Sequence, residues 1–268
     1  HNLIVNAMNN IFTVPMTPAT SLEITRRASK KLESQYQELE NQIKQQNVVN
    51  ADETSHSVNG VNHWIWVFCN KLLSLFKFNK ERGGDIVEKT LGKHFKGILG
   101  SDGWRTYKTF SKDNKVRLQR CWSHSLREVK FECEKLHPLL YKWFCDIFGM
   151  AKNGRAYKQE KRRQDMFEKC KAELGRWITH AEAHRNLRKL AGKIKNGGDD
   201  WFTAVLYPEV PLDNNEAERS LRPFVIMRKI MGCLRSDFGK RNYEVMMSLI
   251  STWQKQGKNT LSMLETSL

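Results

Sequence analysis

The sequence has no C-x-x-C pair: its six cysteines stand at 69, 121, 133, 145, 170 and 233, in apolar or helical surroundings. They lie outside turn-rich loops and read as reduced core or surface thiols of an intracellular protein. No apolar run approaches the roughly 18 residues a membrane span needs, and the start lacks the basic-then-apolar order of a secretion signal. A soluble, cytoplasmic, nucleoid-associated protein is the expectation. Acidic residues are also short, with 29 Asp and Glu against 45 Lys and Arg, a net charge of +16. Such a field favours a polyanionic partner, nucleic acid first, although acidic proteins and anionic membranes attract basic proteins too. What is present is a chain of 268 residues with 40% hydrophobic content. That is enough to bury a full core in one large or two small domains, and it excludes general disorder. His1 at the start, where Met would stand, leads us to expect that a natural beginning is missing.

Residues 1–20 end in Pro15, Thr17 and Pro18, which suit an extended lead-in rather than a helix. Thr20 with Glu23 has capping-box spacing, and Leu32, Tyr36, Leu39 and Ile43 then form one apolar stripe, the mark of a helix packed on the domain core. From Asn47 onward, short apolar runs separated by turn signals announce strands. Val48 and Val49 lead into Asp52, and Asn59-Gly60 is a favoured type I′ hairpin dipeptide between the run ending near Val58 and the run 63–69. A further run, 73–78, makes three adjacent antiparallel strands, since connections this short allow no parallel crossover. Beyond Arg82-Gly83-Gly84, a helix over 86–91 would carry the chain to a strand over 97–100 that ends at Ser101-Asp102-Gly103. A strand over 116–122 then precedes a long helical region from near His124. Residues 151–196, with 14 Lys and Arg against 5 Asp and Glu, read as an inserted helical subdomain. Gly197-Gly198 and Pro208 to Asn215 punctuate the return, and Val245, Met246, Leu249 and Trp253 share one face of a late helix. The expected division is 1–46 lead-in and amphipathic helix, 47–123 first catalytic part, 124–200 helical insertion and 201–268 last catalytic part.

This order is that of an α/β, ribonuclease-H-like mixed sheet flanked by helices, with an inserted helical subdomain. Asp52 stands on its first strand and Asp102 ends the fourth, so the two carboxylates can come close enough to share hard cations such as Mg²⁺. Glu218 is the best third acid, because a helix starting in Pro211-Leu212-Asp213-Asn214-Asn215 would point its first turns toward the sheet. Two ions roughly 3.5–4 Å apart would serve an in-line displacement at phosphorus. Each acid also has an ordinary reading. Asp52 and Glu53 suit solvated strand ends, Asp102 before Gly103 suits a turn, and the pairs Asp213/Glu216 and Asn215/Glu218 both fit a helix cap.

The sequence resembles the transposases of the insertion-sequence-sixty-six family, a branch of the Asp-Asp-Glu transposases. The matching stretches are Ala51-Asp52-Glu53-Thr54, Trp64-Ile65-Trp66-Val67, Arg82-Gly83, Ser101-Asp102-Gly103-Trp104 with Tyr107, and Gln119-Arg120-Cys121-Trp122-Ser123-His124. The most specific is Pro211-Leu212-Asp213-Asn214-Asn215-Glu216-Ala217-Glu218-Arg219, continued by Leu221-Arg222-Pro223 and Arg228-Lys229. The resemblance implies that Asp52, Asp102 and Glu218 bind two Mg²⁺ or Mn²⁺ ions and that Glu216 falls on a variable position. It implies strand cleavage and strand transfer at the ends of an insertion sequence, on double-stranded DNA, with a dimer or larger assembly holding two ends. The family's amino-terminal helix-turn-helix and zinc-binding segments find no counterpart, and Ile230-Met231-Gly232-Cys233 replaces the Asn and aromatic residues usual in the family. Two other readings stand beside an active transposase: a domesticated remnant that only holds DNA, and a nuclease or resolvase of the same fold.

Arg219, Arg222, Arg228 and Lys229, as neighbours of Glu218, are the candidate DNA contacts, with His124 at a strand end near Asp102. Lys161, Arg162, Arg163, Arg185, Arg188 and Lys189 suit either phosphates or a solvated helix face. Cys121 and His124 on a strand would offer no nucleophile and base, because adjacent strand residues face opposite ways. His180 and His184 have the one-turn spacing of a zinc pair, but a solvated surface explains them better. Trp64, Trp66 and Trp104 read as core rather than as base-stacking platforms.

Overall fold

Strand and helix periodicities alternate along this chain, and the computed structural model, which describes all 268 residues, follows them closely. Three helices, α1 (Asn2–Asn10), α2 (Pro18–Lys31) and α3 (Glu33–Lys44), precede strands β1 (Val48–Val58), β2 (Val61–Cys69) and β3 (Ser74–Asn79). Helix α4 (Asp85–Leu91) leads to β4 (Ile98–Ser101), and α5 (Arg105–Asn114) to β5 (Arg117–Arg120). Next come α6 (Trp122–Cys133), α7 (Pro138–Gly154), α8 (Glu160–Ala183), α9 (Arg188–Lys195) and the single turn α10 (Thr203–Leu206). The chain closes with α11 (Asn215–Met231), β6 (Cys233–Leu234), α12 (Asp237–Lys255) and α13 (Thr260–Ser267). The strands make one mixed sheet in the order β3-β2-β1-β4-β5, with β6 on β1, as expected of an α/β fold. The chain divides into two units, residues 1–43, 53–82 and 220–268 in the first, and 44–52 and 83–219 in the second.

In the first unit, Asn59 and Gly60 both have positive φ, 50° and 77°, the backbone that a two-residue type I′ turn demands between β1 and β2. Strand β3 pairs with β2 antiparallel, Ile65 opposite Phe78 and Phe68 opposite Leu75. Its outer N–H groups go to side chains one turn apart on α12. Phe78 donates to Glu244 Oε1 (2.6 Å), Phe76 to Ser248 Oγ (2.9 Å) and Ser74 to Thr252 Oγ1 (3.0 Å). A polar stripe at i, i+4 and i+8 thus completes the hydrogen bonding that an edge strand leaves open. Ser248→Ala leaves the buried Phe76 N–H without an acceptor, and a loss of about 1–3 kcal/mol in urea unfolding is expected. An unchanged midpoint would show that the bond contributes nothing.

Tyr36 is fully buried and donates to Phe76 O (3.0 Å), confirming the Leu32–Ile43 stripe as core-facing. Three local expectations need correction. Residues 2–10 are helical, with Val5 buried, because the apolar residues among the asparagines supply a face that the later prolines do not disturb. Helix α2 begins at Pro18 rather than after Thr20, since Thr17 accepts from the Thr20 N–H and Pro18 has its fixed φ at the first helical position. Glu53 is not solvated: its side chain is 1% exposed and paired with Arg82 at 2.8 Å, whose guanidinium lies 4.6 Å over the Trp64 ring.

In the second unit, parallel pairing sets Val48 opposite Ile98 and Asn50 opposite Gly100, then Ile98 opposite Arg117 and Ser101 opposite Arg120. Helices α6 to α10 bury one cluster built round Trp122, Phe144, Trp177, Trp201 and Phe202, and Ile98 of β4 joins it. The helices of the basic 151–196 stretch therefore share a core with β4 and α6. His184 has left the helix at ψ 117° and lies tilted against His137 at 4.3 Å, while His180 packs edge-on to Trp143; both are exposed, in keeping with the solvated surface expected of them.

Candidate functional site

Parallel strands all end on the same side, and the helix starts and turns that follow them collect there. In the second unit, β1, β4 and β5 are the strands concerned. Asn50 and Gly100 are the last register partners of β1 and β4, and two residues further on come Asp52, within β1, and Asp102, just past the end of β4. A Cβ at Gly100 would fall 2.2 Å from Asn50 Oδ1, so any larger residue there would force the Asn50 amide to move. Asp102 Oδ1 accepts from the Trp104 N–H (2.8 Å), so this carboxylate also holds the turn that begins α5.

Segment 212–215 ties the strand ends together. Trp122 N–H donates to Leu212 O (3.0 Å), and Cys121 N–H donates to Ser101 O (2.9 Å). The buried Asn214 donates its N–H to Cys121 Sγ (3.2 Å) and its Nδ2 to Ala51 O (2.8 Å). Asp213 Oδ1 accepts from Asn215 N–H (3.1 Å), and Glu218 N–H donates to Asn214 O (3.1 Å). The residue before Asp52, the residue before Asp102 and the residue one turn before Glu218 thus belong to one hydrogen-bonded set.

Glu218 projects from the first turn of α11. Its Oε1 is buried without a hydrogen-bond partner, 3.6 Å from His124 Nδ1 and 3.9 Å from the Arg127 guanidinium. A carboxylate oxygen hidden from water and accepting no hydrogen bond suits a cation, which Arg127 supplies only at ion-pair distance. Among groups of potential ligands, Glu218 falls with Cys121 and His124, all three donor atoms within 4.8 Å of one another, rather than with Asp52 and Asp102.

The Cys121–His124 segment departs from expectation. Strand β5 stops at Arg120, Cys121 is the residue before α6, and His124 lies in that helix's first turn. Helical spacing of three puts thiol and imidazole on one side, where a strand would have separated them. Burial pushes the Cys121 thiol up, while the backbone N–H groups of His124, Asn214 and Ser123 pull the other way.

Asp102, Cys121 and His124 open onto a cleft of about 630 Å³. Arg105, Lys108, Lys112, Arg120 and Lys193 line it together with Trp104. Trp104 is 38% exposed, so the expectation of a core tryptophan holds for buried Trp66 and fails here. Arg120 is held by Lys193 O and Gly103 O, both at 3.1 Å, and lies 5.0 Å over the Trp201 ring. Sequence reasoning missed these cleft cations because they are scattered over α5, β5 and α9. The C-x-x-H spacing was the one signal that could have found Cys121.

Among the candidate DNA contacts, Arg219 is exposed and pairs with Glu216 at 3.0 Å, and Arg222 and Lys229 are exposed. Arg228 gives Nη1 to Ser55 O (2.6 Å) and Ser55 Oγ (2.8 Å), a clamp on β1. On α8, Arg163 is likewise tied to the carbonyls of Tyr157, Lys158 and Leu206.

Comparison with known proteins adds an independent finding. The pattern describing the Transposase IS66 family matches residues 5–242. A weaker likeness, 25% identity over 142 residues, is to the uncharacterized protein y4jO of Sinorhizobium fredii, covering 52% of this chain and 41% of that protein. The chain therefore spans less than half the length of that relative. No helix is long and apolar enough to cross a membrane.

Proposed function

Because this chain belongs to the Transposase IS66 family, we propose that it cuts and joins DNA strands at one site formed by Asp52, Asp102 and Glu218. The observation that carries the reading is the hydrogen-bonded set joining Ala51, Asn214, Cys121 and Ser101, in which Ala51 and Ser101 directly precede Asp52 and Asp102 and Asn214 stands one turn before Glu218. The unsatisfied Glu218 Oε1 supports a cation there. All three acids offer oxygen donors of the kind Mg²⁺ or Mn²⁺ takes. A pair of such ions, when bound, activates the attacking oxygen and stabilises the leaving oxygen of an in-line displacement.

The protein's own contribution is position and field. Asn214 fixes the first turn of α11 against β1 and Cys121, which sets where Glu218 can reach. Arg105, Lys108, Lys112 and Lys193 in the cleft, with exposed Arg219, Arg222 and Lys229, suit phosphates of double-stranded DNA and would add salt-sensitive affinity. His124 and Arg127 beside Glu218 suit the phosphate that is cut. Arg228, spent on Ser55, would act by positioning β1.

The test is an assay with element-end DNA, target DNA and Mg²⁺. Products joined to target are expected, through attack by the freed 3′-hydroxyl. Cut but unjoined products would replace this reading with a nuclease or resolvase, and binding without cutting would replace it with a remnant that only holds DNA.

A further inference from the structure

The acids proposed for magnesium do not account for the thiol and the imidazole beside one of them. Cys121 Sγ, His124 Nδ1 or Nε2 and a Glu218 oxygen lie within 4.8 Å of one another, and His124 Nδ1 is already 3.6 Å from Glu218 Oε1. Tetrahedral zinc, with bonds of roughly 2.0–2.3 Å, wants its donors about 3.3–3.8 Å apart, so small side-chain rotations would close the set. The sulfur is held for this role. Asn214 N–H reaches it at 3.2 Å, and the N–H groups of Ser123 and His124 in the first turn of α6 are directed at it as well. Burial on its own favours the neutral thiol, so metal binding would have to displace the Cys121 proton, and the site stands on the geometry of its three donors. The buried, unsatisfied Glu218 Oε1 supplies the third contact.

We propose that Cys121, His124 and Glu218 form a second metal site, selective for zinc-like ions, with water in the fourth position. Thiolate and imidazole prefer Zn²⁺ or Co²⁺ over the hard Mg²⁺, whereas Glu218 alone serves either kind of ion. Zinc would then hold Glu218 away from Asp52 and Asp102 and switch cleavage off. Binding stands on the geometry just given, and only the switch rests on the reading of Glu218 as a catalytic acid.

Titration of the full chain with Co²⁺ alone tests the binding. One equivalent should bring a sulfur-to-cobalt charge-transfer band in the near ultraviolet, and Zn²⁺ should displace it. Cys121→Ser should remove the band, and His124→Ala should weaken Zn²⁺ binding by at least the ~10–100-fold that losing an outer-shell partner costs. His124 is exposed, so that variant reports even if Cys121→Ser unfolds. Absence of the band, its survival in Cys121→Ser, or unchanged affinity in His124→Ala would overturn the site. Micromolar Zn²⁺ should also inhibit Mg²⁺-supported cleavage, and less so in His124→Ala measured against its own rate. Inhibition equal in both would overturn the switch. A wild-type chain that gives the band and never cuts DNA would sink the proposed function and leave the zinc site standing.

Discussion

Asp52→Asn is expected to abolish strand cleavage while leaving DNA binding in place. The substitution keeps the shape of the side chain and removes one negative charge two residues beyond the last β1–β4 register pair, Asn50 and Gly100. Metal ions at such a centre stabilise the transition state by several kcal/mol, and about 4 kcal/mol corresponds to ~10³-fold in rate. Binding measured by gel shift at fixed salt should hold or tighten slightly, since an anion beside a basic cleft repels phosphate. Asp102→Asn should behave alike, because an amide oxygen can still accept from the Trp104 N–H and keep the turn. Cutting by the Asp52 variant at the parent rate would remove this residue from the chemistry.

The largest expected loss of stability follows Trp122→Ala. Trp122 is fully buried, with the rings of Trp201, Phe148, Phe144 and Phe202 at 5.2, 5.4, 5.5 and 5.7 Å, and its Nε1 donates to Trp201 O at 2.7 Å. Truncation opens a cavity where α6, α7 and the 201–202 segment meet, and about 3–5 kcal/mol is expected from denaturant unfolding. Trp122→Phe retains most of the volume and should cost less. A midpoint for Trp122→Ala within error of the parent would show that the cluster collapses into the space. Trp122 follows Cys121 and begins α6, so this core also sets the direction from which thiol and imidazole approach Glu218.

The features that local pattern controls could be read from the chain. Asn59-Gly60 specified its turn through backbone preference, the alternating runs specified β2 and β3, and short connections forced the antiparallel order. The acids were legible as candidates because Asp52 and Asp102 follow apolar runs that became register neighbours. Helix α5 was not legible, since only Tyr107 and Phe110 are buried in it among polar residues. The Cys121–His124 pairing was missed through a strand drawn two residues too long, an error that reverses which side chains share a face. Glu53 could not be told from Asp52 by pattern, because its ion pair is with Arg82, distant in sequence. His184 looked helical until the chain turned away one residue earlier.

The cover that α12 gives β3 is assembled late. During synthesis β3 emerges long before Glu244, Ser248 and Thr252, so a row of bare amide donors beside Phe76 and Phe78 waits on the nascent chain. Such a row is a template on which identical chains can zip together into insoluble stacks, and a chaperone or slow dilution on refolding would guard against it. Any truncation or proteolytic nick that frees the last helices should therefore be recognised first as precipitation, before a loss of DNA handling is noticed.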